Sequence, residues 1–104
     1  MSLNKAATVS ILLALLAGCT WVKIEPGAER VRIIDVAATD DCELVASTTV
    51  SVRDRVAGVQ RKPGKVQQEL EALAKNSAHE TGANALLPLG PVQSGKREYA
   101  IYRC

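Results

Sequence analysis

The sequence predicts an α+β fold in which one helix packs on a mainly antiparallel sheet, in the order β-β-α-β-β, closed by one disulfide. Three observations predict it. Two runs rich in β-branched residues, Val31–Val36 and Leu44–Val52, come first. A stretch beginning at Pro63 then repeats its apolar residues at three- and four-residue steps, the period of a helix. A short apolar run, Ala83–Leu89, and a last strand-like run, Arg97–Arg103, follow. A single amphipathic helix beside several strands buries its stripe by lying on one sheet face, which makes residues 31–104 one α+β domain.

Taken in order, Val31–Val36 (VRIIDV) reads as a strand from its β-branched residues. Ala37–Asp41 (AATDD) is a polar turn closed by Cys42. Leu44–Val52 alternates, placing Leu44, Ala46, Thr48, Val50 and Val52 on one face. In the helix, Val66, Leu70, Leu73, Ala74, Ser77 and Ala78 form one apolar stripe. Pro63 suits the first turn, Glu71 and Lys75 make an i,i+4 pair, and Gly82 suits the C-terminal cap. Ala83–Leu89 is then a short buried strand, Pro91–Gly95 a turn, and Arg97–Arg103 the last strand, ending at Cys104.

The N-terminus reads as an export signal. Lys5 supplies the positive region and Ala6–Ala17 the apolar one, which is shorter than the ~20 apolar residues a membrane span requires. It ends in Leu16-Ala17-Gly18-Cys19, which looks like a bacterial lipobox cut between Gly18 and Cys19. Residues 1–18 are thus the expected signal peptide and Cys19 the expected lipidation site. The thiol accepts diacylglycerol, and with two or more chains, palmitate included, at ~0.8 kcal/mol per buried CH₂, residence in the membrane is stable. Thr20 follows Cys19 where well-studied inner-membrane lipoproteins carry Asp, so the periplasmic face of the outer membrane is the expected location, with the inner membrane as alternative. Residues 19–30 contain Pro26-Gly27 and read as anchor and short tether, which keeps the domain near the bilayer.

Composition narrows the function classes. The formal charge of the whole chain is only +2, which argues against nucleic acid as a partner. With two Tyr, one Trp and no Phe, the core must be aliphatic and stacking platforms for bases or sugars are scarce. A domain this small draws roughly 3–5 kcal/mol from packing, so a covalent staple is expected. Cys42 and Cys104 supply one. Both enter an oxidising compartment, and no third mature thiol competes once Cys19 is acylated. Their bridge would contribute roughly 4 kcal/mol by restricting the unfolded chain. The competing readings are a metal pair and a redox pair; the spacing is not CxxC and no other ligands lie near in the sequence.

Chemistry-bearing residues are few. His79 is the lone histidine, near the helix end, and reads as a solvated residue favoured by the C-terminal dipole. Ser47, Thr48, Thr49 and Ser51 read as strand residues without an activating base. No nucleophile, base and orienter can be assembled, so neither a catalytic site nor a metal site nor a cofactor is expected. Arg53, Arg55, Arg61, Lys62 and Lys65 cluster between the second strand and the helix with only Asp54 among them. They read as a solvated loop, with an anionic-headgroup patch as the functional alternative.

The residues Cys19-Thr20-Trp21-Val22-Lys23, Ser47-Thr48-Thr49-Val50-Ser51-Val52, Asn76-Ser77-Ala78 and Tyr102-Arg103-Cys104 together resemble a family of small uncharacterised bacterial lipoproteins. More distantly, the helix followed by Gly82-Ala83-Asn84-Ala85-Leu86-Leu87 looks like YbjQ-type domains and the Rcs envelope-stress sensor lipoprotein. The resemblance implies a compact α+β fold and an envelope role without catalysis. That sensor has a long Pro-rich linker and four domain cysteines; this chain has a short tether and two, so long-reach signalling is not carried over. The expected function is a lipid-anchored, non-enzymatic interaction module with an envelope protein partner, in envelope maintenance or stress sensing. The alternative is a module that binds a small ligand, a metal or an anionic headgroup.

Overall fold

The computed structural model describes residues 22–104, so the expected leader, the expected cleavage and lipidation point at Gly18-Cys19, and Trp21 lie outside the described residues. One helix, α1 (Pro63–Glu80), packs on a four-stranded sheet, as the sequence predicts. The strands are β1 (Arg32–Ile33), β2 (Glu43–Ser51), β5 (Ala85–Gln93) and β6 (Lys96–Arg103), in the order β1-β5-β6-β2. The β1–β5 pair is parallel and the other two are antiparallel. A separate two-stranded hairpin, β3 (Arg55–Val56) and β4 (Val59–Gln60), stands between β2 and α1.

The core follows from the two periodicities. Register pairs Ile101 with both Leu86 and Ala46, so these side chains share a sheet face. Leu86 and Ile101 join Tyr99, Val31, Ala74, Ala78 and Ala83 in the buried cluster, against which Val45, Ala46 and Val50 pack. Leu70, Leu86 and Ile101 are fully buried, each worth about 1.5–3 kcal/mol relative to exposure. On the opposite face Ala85, Leu87 and Ala100 are also buried, so both faces of the central β5–β6 pair are withdrawn from water.

The β3–β4 hairpin is absent from the expected β-β-α-β-β order, and the first two expected strands differ from their sequence reading. The run Val31–Val36 forms strand only at Arg32–Ile33, with Ile34 N–H still donating to Leu86 O at 2.8 Å. The chain must then cross from the β1 edge of the sheet to the β2 edge, three strand spacings or about 14 Å. A 3-10 turn, Val36–Asp41, makes that passage and leaves Val36 73% exposed. In β2 a register shift between Leu44 and Ala46 inserts Val45 as an extra residue. The bulge turns Leu44 outward, to 58% exposure, while the rest of the expected face, Ala46, Thr48 and Val50, stays inward.

The hairpin tips show why certain glycines stand where they do. β5 runs to Gln93, past the expected strand end, and the turn to β6 narrows to Ser94-Gly95, both with positive φ (49° and 72°). Gly95 also lies against the backbone of Val52, whose N–H donates to Gly95 O at 2.8 Å. A Cβ at Gly95 would clash with Val52 O. This contact ties the end of β2 to the tip of β5–β6, beside the N-terminal turn of α1.

Candidate functional site

Helix α1 gives the molecule two ends, about 27 Å apart for its 18 residues. At its C-terminal end lies the disulfide. Cys42 follows the 3-10 turn and Cys104 follows β6, adjacent to the Glu43–Arg103 register pair, and the two sulfurs are bonded with Cα atoms 4.3 Å apart. Asn84, just after α1, fixes the last residue from both sides. Its Oδ1 accepts from Cys104 N at 2.8 Å and its Nδ2 donates to Cys104 O at 2.9 Å. Asp35, Asp40, Asp41 and Glu43 sit in the segment leading into this end.

At the N-terminal end of α1 stand the β3–β4 hairpin and the basic cluster. The two-residue tip, Ala57-Gly58, has positive φ at both positions (52° and 77°), the geometry that matches strand twist in a tight hairpin. Val56 faces Val59 across the hairpin. Both valines are exposed, at 54% and 69%, and with Gln60, Arg61, Lys62 and Lys65 they line a shallow depression of about 410 Å³. Arg55 pairs with Gln60 one step further from the tip.

Of the five basic residues expected there, the structure gathers all at this end but gives Arg61 a different task. Its guanidinium forms a two-point ion pair with Glu69 at 2.6 and 2.7 Å and donates to Arg53 O at 2.9 Å. Its N–H donates to Asp54 O at 2.7 Å. Arg61 therefore fastens the hairpin to α1. Hydrogen bonding to Arg61 holds the Glu69 carboxyl below the usual carboxylate range, with the charges of Arg61 and Lys65 acting in the same direction.

The segment 22–30, expected as a tether, has structure of its own. It lies along α1, held by Asn76, whose Oδ1 accepts from Glu25 N and whose Nδ2 donates to Lys23 O, each at 2.8 Å. Asn76 is the buried polar residue of the core, 9% exposed, and this side chain replaces the backbone partners the segment lacks. Beyond it, Gly27 (φ 93°) passes so close to His79 that a Cβ would lie 2.7 Å from the ring, and Ala28 is fully buried in a 3-10 turn, Ala28–Arg30. Hydrogen bonding to Glu80, with burial and the charge of Glu80 adding, raises Glu25 above the usual carboxylate range; His79 opposes it.

The remaining candidates stay apart. His79 is exposed at the end of α1, Ser47 and Thr49 point to solvent, and Thr48 is half-buried on the core face. Among the described residues no three His, Cys, Asp or Glu side chains converge as a metal would require. The Tyr99 hydroxyl is buried without a hydrogen-bond partner, while its ring lies 5.7 Å from the Arg97 guanidinium carbon. Sequence reasoning missed Asn76 and the valine hairpin. An Asn among Leu73, Ala74 and Ala78, and the Val-Ala-Gly-Val string, were the available signals.

The site thus belongs to a small stapled α+β domain with a basic, apolar-tipped hairpin at one end. The chain belongs to the family described as a domain of unknown function, DUF4156, whose profile matches residues 22–104. The match takes in the segment held by Asn76. No curated protein and no solved structure matches.

Proposed function

We propose that this chain is a lipid-anchored, non-enzymatic interaction module, seated through Cys19 on the periplasmic face of the outer membrane and working in envelope maintenance or stress sensing. The observation that carries the reading is the Asn76 clamp on Lys23 and Glu25. It holds the chain against α1 from Lys23 onward, within about 14 Å of the lipid-bearing residue. A domain joined so closely to its anchor has a restricted set of orientations and meets partners at the bilayer surface. The lipobox, the cysteine pair and the near-neutral charge support the same reading.

Intact mass of the protein extracted from membranes, before and after reduction and alkylation, tests it, with Cys19→Ala as control. The expected result is acyl mass on the chain beginning at Cys19, lost in the variant, and two thiols that appear only on reduction. A chain that keeps residues 1–18, or carries no acyl mass, would overturn the anchor. Crosslinking at the membrane then identifies the envelope protein it meets.

A further inference from the structure

We infer that the β3–β4 hairpin is a second membrane contact: it rests on the anionic surface of the same bilayer that holds Cys19, with Val56 and Val59 entering the headgroup region. The inference rests on the anchoring reading above and names the bilayer as the occupant of this surface.

The path of the N-terminal segment carries the argument. Val22 and Ile24 lie beside Gln68, Glu69 and Ala72, Glu25 is held at Asn76, and Gly27 reaches His79. The segment therefore runs in the same direction as α1, and the chain enters it from the side of the helix N-terminus. Cys19 is within about 11 Å of Val22, and Pro63 stands seven helical residues, also about 11 Å, from Leu70. Glu69, which borders Val22 and Ile24, is also the residue that holds Arg61 at the base of the hairpin, so the chain joins the domain beside the hairpin's attachment to α1.

Chemistry points the same way. Val56 and Val59 face each other across the hairpin with their side chains in water, a costly placement unless something apolar receives them. Lys62 and Lys65 line the depression with them and Arg55 stands in the hairpin itself, cations of the kind an anionic headgroup surface attracts. Against these stand Asp54, half-buried, and Glu69, already paired with Arg61. At the opposite end Val36 and Leu44 are also exposed, but beside Asp35, Asp40 and Asp41, which an anionic surface would repel, and Glu43, which is paired with Arg103. An anchored domain with this charge separation turns its hairpin toward the membrane and its disulfide toward the periplasm.

The test uses the lipidated chain in vesicles of phosphatidylethanolamine and phosphatidylglycerol, with Trp21→Phe to clear the background and Val59→Trp as reporter. Lipids with brominated acyl chains should quench residue 59 several-fold more than a Val36→Trp reporter at the other end. Equal quenching, or none at 59, overturns the inference. Shielding of residue 59 from iodide in whole envelopes but not in vesicles would assign the hairpin to a protein partner instead, which also overturns it. Intact mass of the same sample reads the anchor separately. If acyl mass is absent, the Cys19→Ser chain decides. Binding to the anionic vesicles that drops roughly fivefold on Lys62→Gln and vanishes in phosphatidylcholine sustains the hairpin contact without the anchor. Indifference to both removes it.

Discussion

The two ends of α1 are built on opposite plans. At the C-terminal end the chain is cross-linked: Cys42 is bonded to Cys104, Asn84 grips Cys104 on both sides, and β2 and β6 pair as far as Glu43–Arg103, across the bulge at Val45. At the N-terminal end a short hairpin stands clear of the sheet, fastened through Arg61 to Glu69 and to the backbone of Arg53 and Asp54. One end holds the fold together and the other presents valines and cations to the surroundings. On the proposed reading, stability and recognition are separated along the helix, so each can be altered with little effect on the other.

The largest effect should come from the closed end. Cys42→Ser with Cys104→Ser should cost about 4 kcal/mol in denaturant unfolding, from the unfolded-state freedom the cross-link removes, while vesicle binding by the hairpin persists in the folded fraction. A loss under 1 kcal/mol would mean that the closed end does not dominate stability.

Asn76→Ala comes next. It strands Glu25 N–H and Lys23 C=O, and each lost partner costs about 1–1.5 kcal/mol. Residues 22–27 should then exchange their amides rapidly while β2, β5 and β6 remain protected. Uniform loss of protection across the sheet would show that the segment is inseparable from the core.

A smaller contrast concerns pH, where the two ends titrate in opposite senses. The Glu69 pKa is lowered by hydrogen bonding to Arg61, so its contribution is present above the unfolded pKa and is lost as pH falls through the folded one. The Glu25 pKa is raised by hydrogen bonding to Glu80, so its contribution is present below the unfolded pKa and is lost as pH rises through the folded one. On acidification the hairpin should loosen while the segment at Asn76 tightens, as amide exchange at Arg61 and Glu25 can report. Arg61→Met and Glu25→Gln should each abolish one trend and leave the other. The smallest change is Ala57→Gly, which relieves a positive φ of 52° in an alanine and should stabilise by about 1 kcal/mol or less.

How much of this was legible in the sequence depends on whether a feature is local. The helix was, because its stripe from Val66 to Ala78 has a period that only a helix satisfies. The disulfide was, because the export expected from the N-terminus leaves Cys42 and Cys104 as the thiols to pair. The bulge at Val45 was not, since the alternation from Leu44 to Val52 reads smoothly and only the partner strand reveals the extra residue. The 3-10 passage after Ile34 follows from the sheet order, which places β1 and β2 at opposite edges, and strand order leaves no local trace. At the candidate site, the charges were visible but their division was not: Arg61, unlike Arg55, has Glu69 within reach nearly two turns into the helix. Asn76 was hidden for a related reason, since its partners are backbone groups more than fifty residues away.

The most direct test of the central claim, that the hairpin end faces the bilayer and the disulfide end does not, is hydrogen–deuterium exchange of the lipidated protein in anionic vesicles against the Cys19→Ser chain in solution. The account expects slower exchange on vesicles across residues 55–60 and unchanged exchange across residues 36–43. Protection at residues 36–43, or none at residues 55–60, would contradict it.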